Sequence, residues 1–209
     1  MEPTIIEDKM SEFEPVEEDG SMLVAEETSW RGFADELQEL HYLKGVQFIN
    51  QLKLIIYSGE FRLVEGETEI FTAIGEKCDD FDNLINAARR AVEHGYRVYI
   101  LPNPKSCRTA DFIFEKKGIL GLYDLKTIHG KGSVGTQLLD SIGQTNRVLL
   151  NILTNYNARL LASDIKTYFE SNQDALEVLI FKGKKVLPVN RIQVQNPDFN
   201  RVFRKRYEK

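Results

Sequence analysis

The chain has 209 residues, 42% of them hydrophobic, and a formal net charge of −5. That length and apolar content support one folded domain with an extension. No run approaches the ~18 apolar residues of a membrane-spanning helix. The acidic start, Met1-Glu-Pro-Thr-Ile-Ile-Glu-Asp8, lacks the basic and apolar regions of a signal peptide, so a cytoplasmic protein is expected, or one delivered without a cleavable signal.

The charge is unevenly placed. Residues 1–30 hold ten acidic side chains and one lysine, whereas Lys182 to Lys209 holds nine Lys/Arg and two acids. Such a split suits a nucleic-acid binder with an acidic leader. The leader, residues 1–29, has few aromatics and is expected to stay unstructured. Cys78 and Cys107 form no C-x-x-C pair, and His41, His94 and His129 show no ligand spacing, so neither a disulfide framework nor a thiolate zinc site is expected.

Residues 30–75 read as a helical and hairpin N-terminal region. Phe33, Leu37, Leu40 and Leu43 recur at helical spacing from Trp30 to about Asn50, with Gly45 as a break. Gln47 to Tyr57 reads as a second short helix, and Phe61 to Thr72 as a hairpin about Glu65-Gly66. No function follows for this third of the chain.

Residues 76–209 read as a second unit with a basic tail. Asp79 or Asp80 caps a helix whose apolar face is Phe81, Leu84, Ile85, Ala88 and Val92, with Gly95 at its C-terminal cap. A strand follows at Tyr96–Leu101, then a loop at Pro102–Thr109, a short strand at Asp111–Phe114 and a turn at Lys116–Gly118. Ile119 to Lys126 is a further strand, and a glycine-rich loop runs from His129 to Gly132. Val134 to about Asn146 reads as a helix, Arg147–Thr154 as a buried strand, Ala158–Glu170 as a helix, and Phe181–Lys185 as the tip of a last hairpin. The order helix, strand, strand, strand, helix, strand predicts an α/β fold, a mixed sheet with helices on its faces.

One constellation carries chemistry. If Lys117-Gly118 form the hairpin loop, Asp111 lies opposite Asp124, with Cβ atoms ~5 Å apart. Strand alternation puts Lys126 on the face of Asp124. Two carboxylates so placed repel unless a cation sits between them. Such a hard-oxygen site suits Mg²⁺ or Mn²⁺, which orients and acidifies a water for attack on a phosphodiester. Lys126 is then placed to stabilise the developing charge. The tripeptide alone says little, because Glu7, Glu115 and Asp164 also precede a lysine by two residues. Only Asp124 has an upstream strand acid and a following helix.

The same residues resemble the PD-(D/E)xK nuclease superfamily, with its restriction-endonuclease-like αβββαβ core. Within it they are most similar to the C-terminal nuclease domains of contact-dependent inhibition (CdiA-type) toxins, many of which cut transfer RNA. The parallels are Gly95-Tyr-Arg-Val98, Ala110-Asp111, Asp124-Leu-Lys126 and Gln144, and they cover roughly residues 79–155. Ala110 replaces the motif's proline and Asp124 its commoner glutamate. The resemblance implies a catalytic role for Asp111, Asp124, Lys126 and Gln144, and metal ligation by Asp111, Asp124 and a first-helix acid. Asp82 is the candidate for that acid, in competition with Glu76, Asp79 and Asp80. It also implies an RNA substrate, transfer RNA foremost, and a cognate immunity protein as partner.

Gly130-Lys-Gly-Ser-Val-Gly135 matches G-x-G-x-x-G, but the strand before it is not apolar and no ribose-binding acid follows ~20 residues later, so a dinucleotide site is rejected. Its free amides can instead hold a substrate phosphate, or merely connect two elements. Gln137, Ser141 and Gln144 form one polar stripe on the next helix, opposite Val134, Leu138 and Ile142. Lys105, Arg108, His129, Lys131 and Ser133 are the expected substrate contacts, and Lys184, Lys185 and Arg201 to Arg206 can follow a phosphate backbone. Two other readings stay open: a metal-free, barnase- or colicin-like ribonuclease using His129, Lys131 and Ser133, and a nuclease-like fold that only binds nucleic acid.

Overall fold

The computed structural model describes residues 36–37, 40–73, 80–102, 109–130, 132 and 134–209. The expected leader, Glu76, Asp79, Lys105, Arg108, Lys131, Ser133 and both cysteines lie outside the described residues. A 3₁₀ turn at Leu40–Tyr42 leads into helix α1 (Gly45–Tyr57), so the helix starts at the glycine expected to interrupt it. Next come β1 (Phe61–Leu63), β2 (Ile70–Ala73), α2 (Phe81–Glu93), β3 (Arg97–Ile100), β4 (Phe112–Lys116) and β5 (Ile119–Ile128). The chain continues with α3 (Val134–Asp140), β6 (Arg147–Ile152), α4 (Ala158–Ser171), β7 (Glu177–Lys182), β8 (Lys185–Asn190), α5 (Arg191–Gln195) and α6 (Phe199–Glu208). From α2 to β6 the order is the anticipated αβββαβ.

Among the described residues, eight strands form one mixed sheet in the order in which they occur in the chain. β5, β6 and β7 run parallel, and α3 and α4 supply their crossovers. β4 and β5 are antiparallel, with Lys116 paired to Ile119. The loop is therefore Lys117-Gly118, at φ 52° and 76°. Positive φ at both loop residues marks the type I′ turn whose twist matches the strands.

Helix α2 buries Leu84, Ile85, Ala87, Ala88 and Ala91, the face its periodicity predicts. Its end is a Schellman closure: Gly95 N–H donates to Val92 O at 2.8 Å, and Tyr96 N–H to Ala91 O at 3.1 Å. Gly95 sits at φ 77°, where a Cβ would be strained. This face of α2 packs on Phe112, Phe114, Tyr123, Leu125 and Leu149.

The other face of the sheet carries two apolar clusters. One joins α1 residues Leu52 and Ile55 to Tyr99, Ile113, Leu120 and Leu122. The second joins Ile128, Leu150 and Ile180 to α3, α4 and α6. Along β5, Leu120 and Leu122 thus belong to the first cluster and Ile128 to the second. Alternation places Asp124 and Lys126 on this same face, between them.

Two expectations are corrected. The helix after the glycine-rich loop ends at Asp140 rather than near Asn146. Ser141 is buried, and its hydroxyl donates to Leu138 O at 2.6 Å, a local bond that competes with helix continuation. Ser141 therefore does not share an exposed polar stripe with Gln137 and Gln144, and Ile142 on the supposed apolar side is itself exposed. The basic C-terminal stretch ends in α6, formed by residues 199–208, with Phe199, Phe203 and Tyr207 buried. Lys182 Nζ stands 3.7 Å from the centre of the Tyr207 ring, and Lys185 Nζ donates to Tyr207 O at 3.1 Å.

Candidate functional site: a buried carboxylate pair and its lysine

Asp111 lies immediately before β4, where its N–H donates to Tyr123 O at 3.0 Å and its carbonyl accepts from Leu101 N–H at 2.9 Å. Since Phe112 pairs with Tyr123, the same register sets Asp111 against Asp124. The two carboxyl groups are hydrogen-bonded to each other. Asp111 Oδ2 also accepts from Leu125 N–H at 2.6 Å, capping an amide where the antiparallel ladder runs out.

Lys126 completes the cluster. Its ammonium donates to Asp124 Oδ1 at 3.0 Å and lies 2.8 Å from Oδ2. Asp124 is only 2% exposed, and Lys126 keeps about a fifth of its side chain open at 19%.

Burial raises the pKa of Asp111 to about 7, and the charge of Asp124 pushes it in the same direction. Burial also raises Asp124, against the opposing pull of Lys126. The shared hydrogen bond raises Asp111 and lowers Asp124, so Asp111 is the carboxyl that holds the proton. The single ammonium neutralises one of two buried carboxylates, and the proton takes care of the other.

Tyr168 of α4 lies within reach of the cluster's charge. It is fully buried, its hydroxyl accepts from Asn172 Nδ2 at 3.3 Å and is hydrogen-bonded to Ser141, and Asp124's charge reaches it. Burial first, and that charge further, raise its pKa. In the sequence Tyr168 is one more aromatic on an apolar helix face, so nothing there signals it.

The other expected residues lie elsewhere. Asp82 is exposed in the first turn of α2, which covers the opposite face of the sheet. Among the described residues no group of three or more His, Cys, Asp and Glu is placed to share a metal. Gln144 lies in the turn beyond α3, its Nε2 donating to Asp140 O at 3.1 Å. His129 is exposed just after β5.

Asp82 and His129 instead line a separate open cleft of about 540 Å³ with Asn86, Arg90, Asn151 and Leu153. Arg90 spans its floor, donating to Asn151 Oδ1 and, at 2.9 Å, to Gly183 O. Asn151 is 1% exposed, one residue from the carboxyl end of β6. Its signal in the sequence is a lone carboxamide inside Val-Leu-Leu-Asn-Ile-Leu.

The fold is thus α/β, an eight-stranded mixed sheet with helices on both faces, and on one face buried Asp124 stands beside half-buried Asp111 and Lys126. The chain matches no family model and no curated protein sequence. Among solved structures it is similar to a CdiA-CT/CdiI toxin and immunity complex from Burkholderia pseudomallei, with 11% identity over 56% of this chain and 90% of that chain, at a TM-score of 0.36. A likeness of that size carries no argument about this chain. No described helix is long and apolar enough to cross a membrane.

Proposed function

We propose that the chain is a metal-dependent endonuclease that hydrolyses phosphodiester bonds of RNA. The observation that carries this reading is Asp111 set against Asp124 on adjacent strands, with the Lys126 ammonium beside them. The donor set fits a divalent cation: two oxygen-bearing carboxyls side by side, one of them raised to about 7 by burial and then by the charge of the other. Asp111 and Asp124 would hold Mg²⁺ or Mn²⁺. A bound ion of that kind supplies Lewis acidity and a water of lowered pKa.

The chain's own groups have separate tasks. Asp111 would give up its proton to hold such a cation. Asp124 anchors the Lys126 ammonium, fixing where its positive charge points. Lys126 retains enough exposure to meet a phosphate oxygen and offset the charge that builds on it. The net positive balance of the chain beyond residue 30 suits a polyanionic substrate. The choice of RNA, of transfer RNA as its first test, and of a cognate immunity protein as partner rests on the sequence resemblance at Gly95–Val98, Asp111 and Asp124–Lys126.

The test is incubation of the purified chain with total transfer RNA, messenger RNA and plasmid, with and without Mg²⁺. Metal-dependent cleavage of RNA supports the reading, and full cleavage in excess EDTA sinks it. One observation favours a second reading, a nuclease-like fold that binds nucleic acid without cutting: Asp124 is almost wholly buried and already ion-paired with Lys126. Binding of RNA with no cleavage in either Mg²⁺ or Mn²⁺ would select it.

A further inference from the structure

The open cleft on the α2 face uses none of the acid–lysine cluster. It lies outside the carboxyl ends of two parallel strands, because His129 and Leu153, which line it, directly follow β5 and β6. Crevices outside the carboxyl ends of strands are where open α/β sheets take ligands. At about 540 Å³ it has room for a nucleotide.

Its chemistry disfavours a phosphate. Asp80 and Asp82 both line it, and its one guanidinium among the described residues, Arg90, is committed to Asn151 and Gly183. What the cleft offers is the carboxamide of exposed Asn86, the carboxylate of Asp82 and the imidazole of His129. Carboxamides and carboxylates are the groups that pair with the donor and acceptor edge of a nucleobase. The floor beneath them is rigid. Asn151 is held by Arg90, and Thr127 Oγ1 donates to Asn83 Oδ1 at 2.9 Å, tying β5 to α2.

Thr127 is the neighbour of Lys126 and, by strand alternation, faces the opposite side of the sheet. A single strand of RNA crossing the carboxyl end of β5 would therefore meet the acid–lysine cluster on one side and this cleft on the other. We infer that the cleft is a nucleobase-recognition subsite, with Asn86 and Asp82 reading the base of a nucleotide next to the scissile phosphate. This rests on the nuclease reading, which it deepens.

The experiment digests an RNA pool randomised in sequence and sequences the cleaved ends, for wild type and for Asn86→Ala. Asn86 is exposed on a helix, so alanine there leaves the fold intact. The expected result is a base preference at one position beside the cut that weakens about tenfold in the variant. The same preference profile in Asn86→Ala overturns the inference. If wild type cuts nothing, the nuclease reading falls and the cleft is tested alone, by titrating AMP, GMP, CMP and UMP while following the His129 ring protons by NMR. Base-selective shifts that Asn86→Ala abolishes uphold the subsite, and no shift with any nucleotide overturns it.

Discussion

Asp111 and Asp124 share one proton across the register of a single antiparallel pair, and Lys126 compensates only the second of them. Only when that proton leaves is the cluster short of positive charge by one unit.

Replacing either partner of the ion pair should end catalysis, with different effects on folding. Asp124→Asn removes a buried charge, while Lys126→Met leaves Asp124 buried and uncompensated, which typically costs about 3–5 kcal/mol. We expect cleavage to be lost in both and denaturation midpoints to fall clearly only for Lys126→Met. Undiminished cleavage by both purified variants would defeat the proposed function.

Stability should fall as pH rises in the absence of metal. Asp111 has an ordinary value of 3.8 unfolded and about 7 folded, so the folded state binds its proton more tightly. Below pH 3.8 both states are protonated and nothing is lost; between 3.8 and about 7 the unfolded state ionises first and stability declines; above that it levels off. Asp111→Asn should flatten this part of the profile. Urea titrations from pH 4 to 8 provide the measurement, and parallel profiles for wild type and variant would contradict the assignment.

Divalent ions should reverse that loss. A cation that binds only the folded state stabilises it by about 2.7 kcal/mol at a hundred times its dissociation constant. A rise in melting temperature with Mg²⁺ or Mn²⁺ is expected, larger at pH 8 than at pH 5, where protonated Asp111 competes with the ion. Asp111→Asn and Asp124→Asn should both lose the response. Equal shifts in wild type and both variants would place the ion elsewhere.

Gly121 holds β5 in shape without touching the chemistry. A Cβ there would stand 2.7 Å from the ring of Tyr123, whose hydroxyl donates to Glu177 at 2.6 Å and whose ring packs 4.8 Å from that of Phe114. Gly121→Ala should destabilise by about 1–3 kcal/mol through overpacking. A midpoint at or above wild type in thermal unfolding would show that the ring moves aside freely.

The chain by itself determined the hairpin that makes the site. Lys117-Gly118 suits a two-residue turn, and once that turn closes, the period of two in a strand sets Asp111 against Asp124 and turns Lys126 to the same side. Local geometry sufficed because the two aspartates are separated by one turn. The α2 face and its Gly95 stop were legible for the same reason, each being a regularity within one element. Three things were decided only by tertiary packing. Tyr168, 44 residues beyond Asp124, comes within reach of that aspartate's charge because the α4 crossover lies on that face. Asp82 is carried to the opposite face because α2 covers it, which no local pattern encodes. Arg90 and Asn151 meet 61 residues apart, since the order of strands in the sheet, and not the periodicity of either segment, brings β6 under α2.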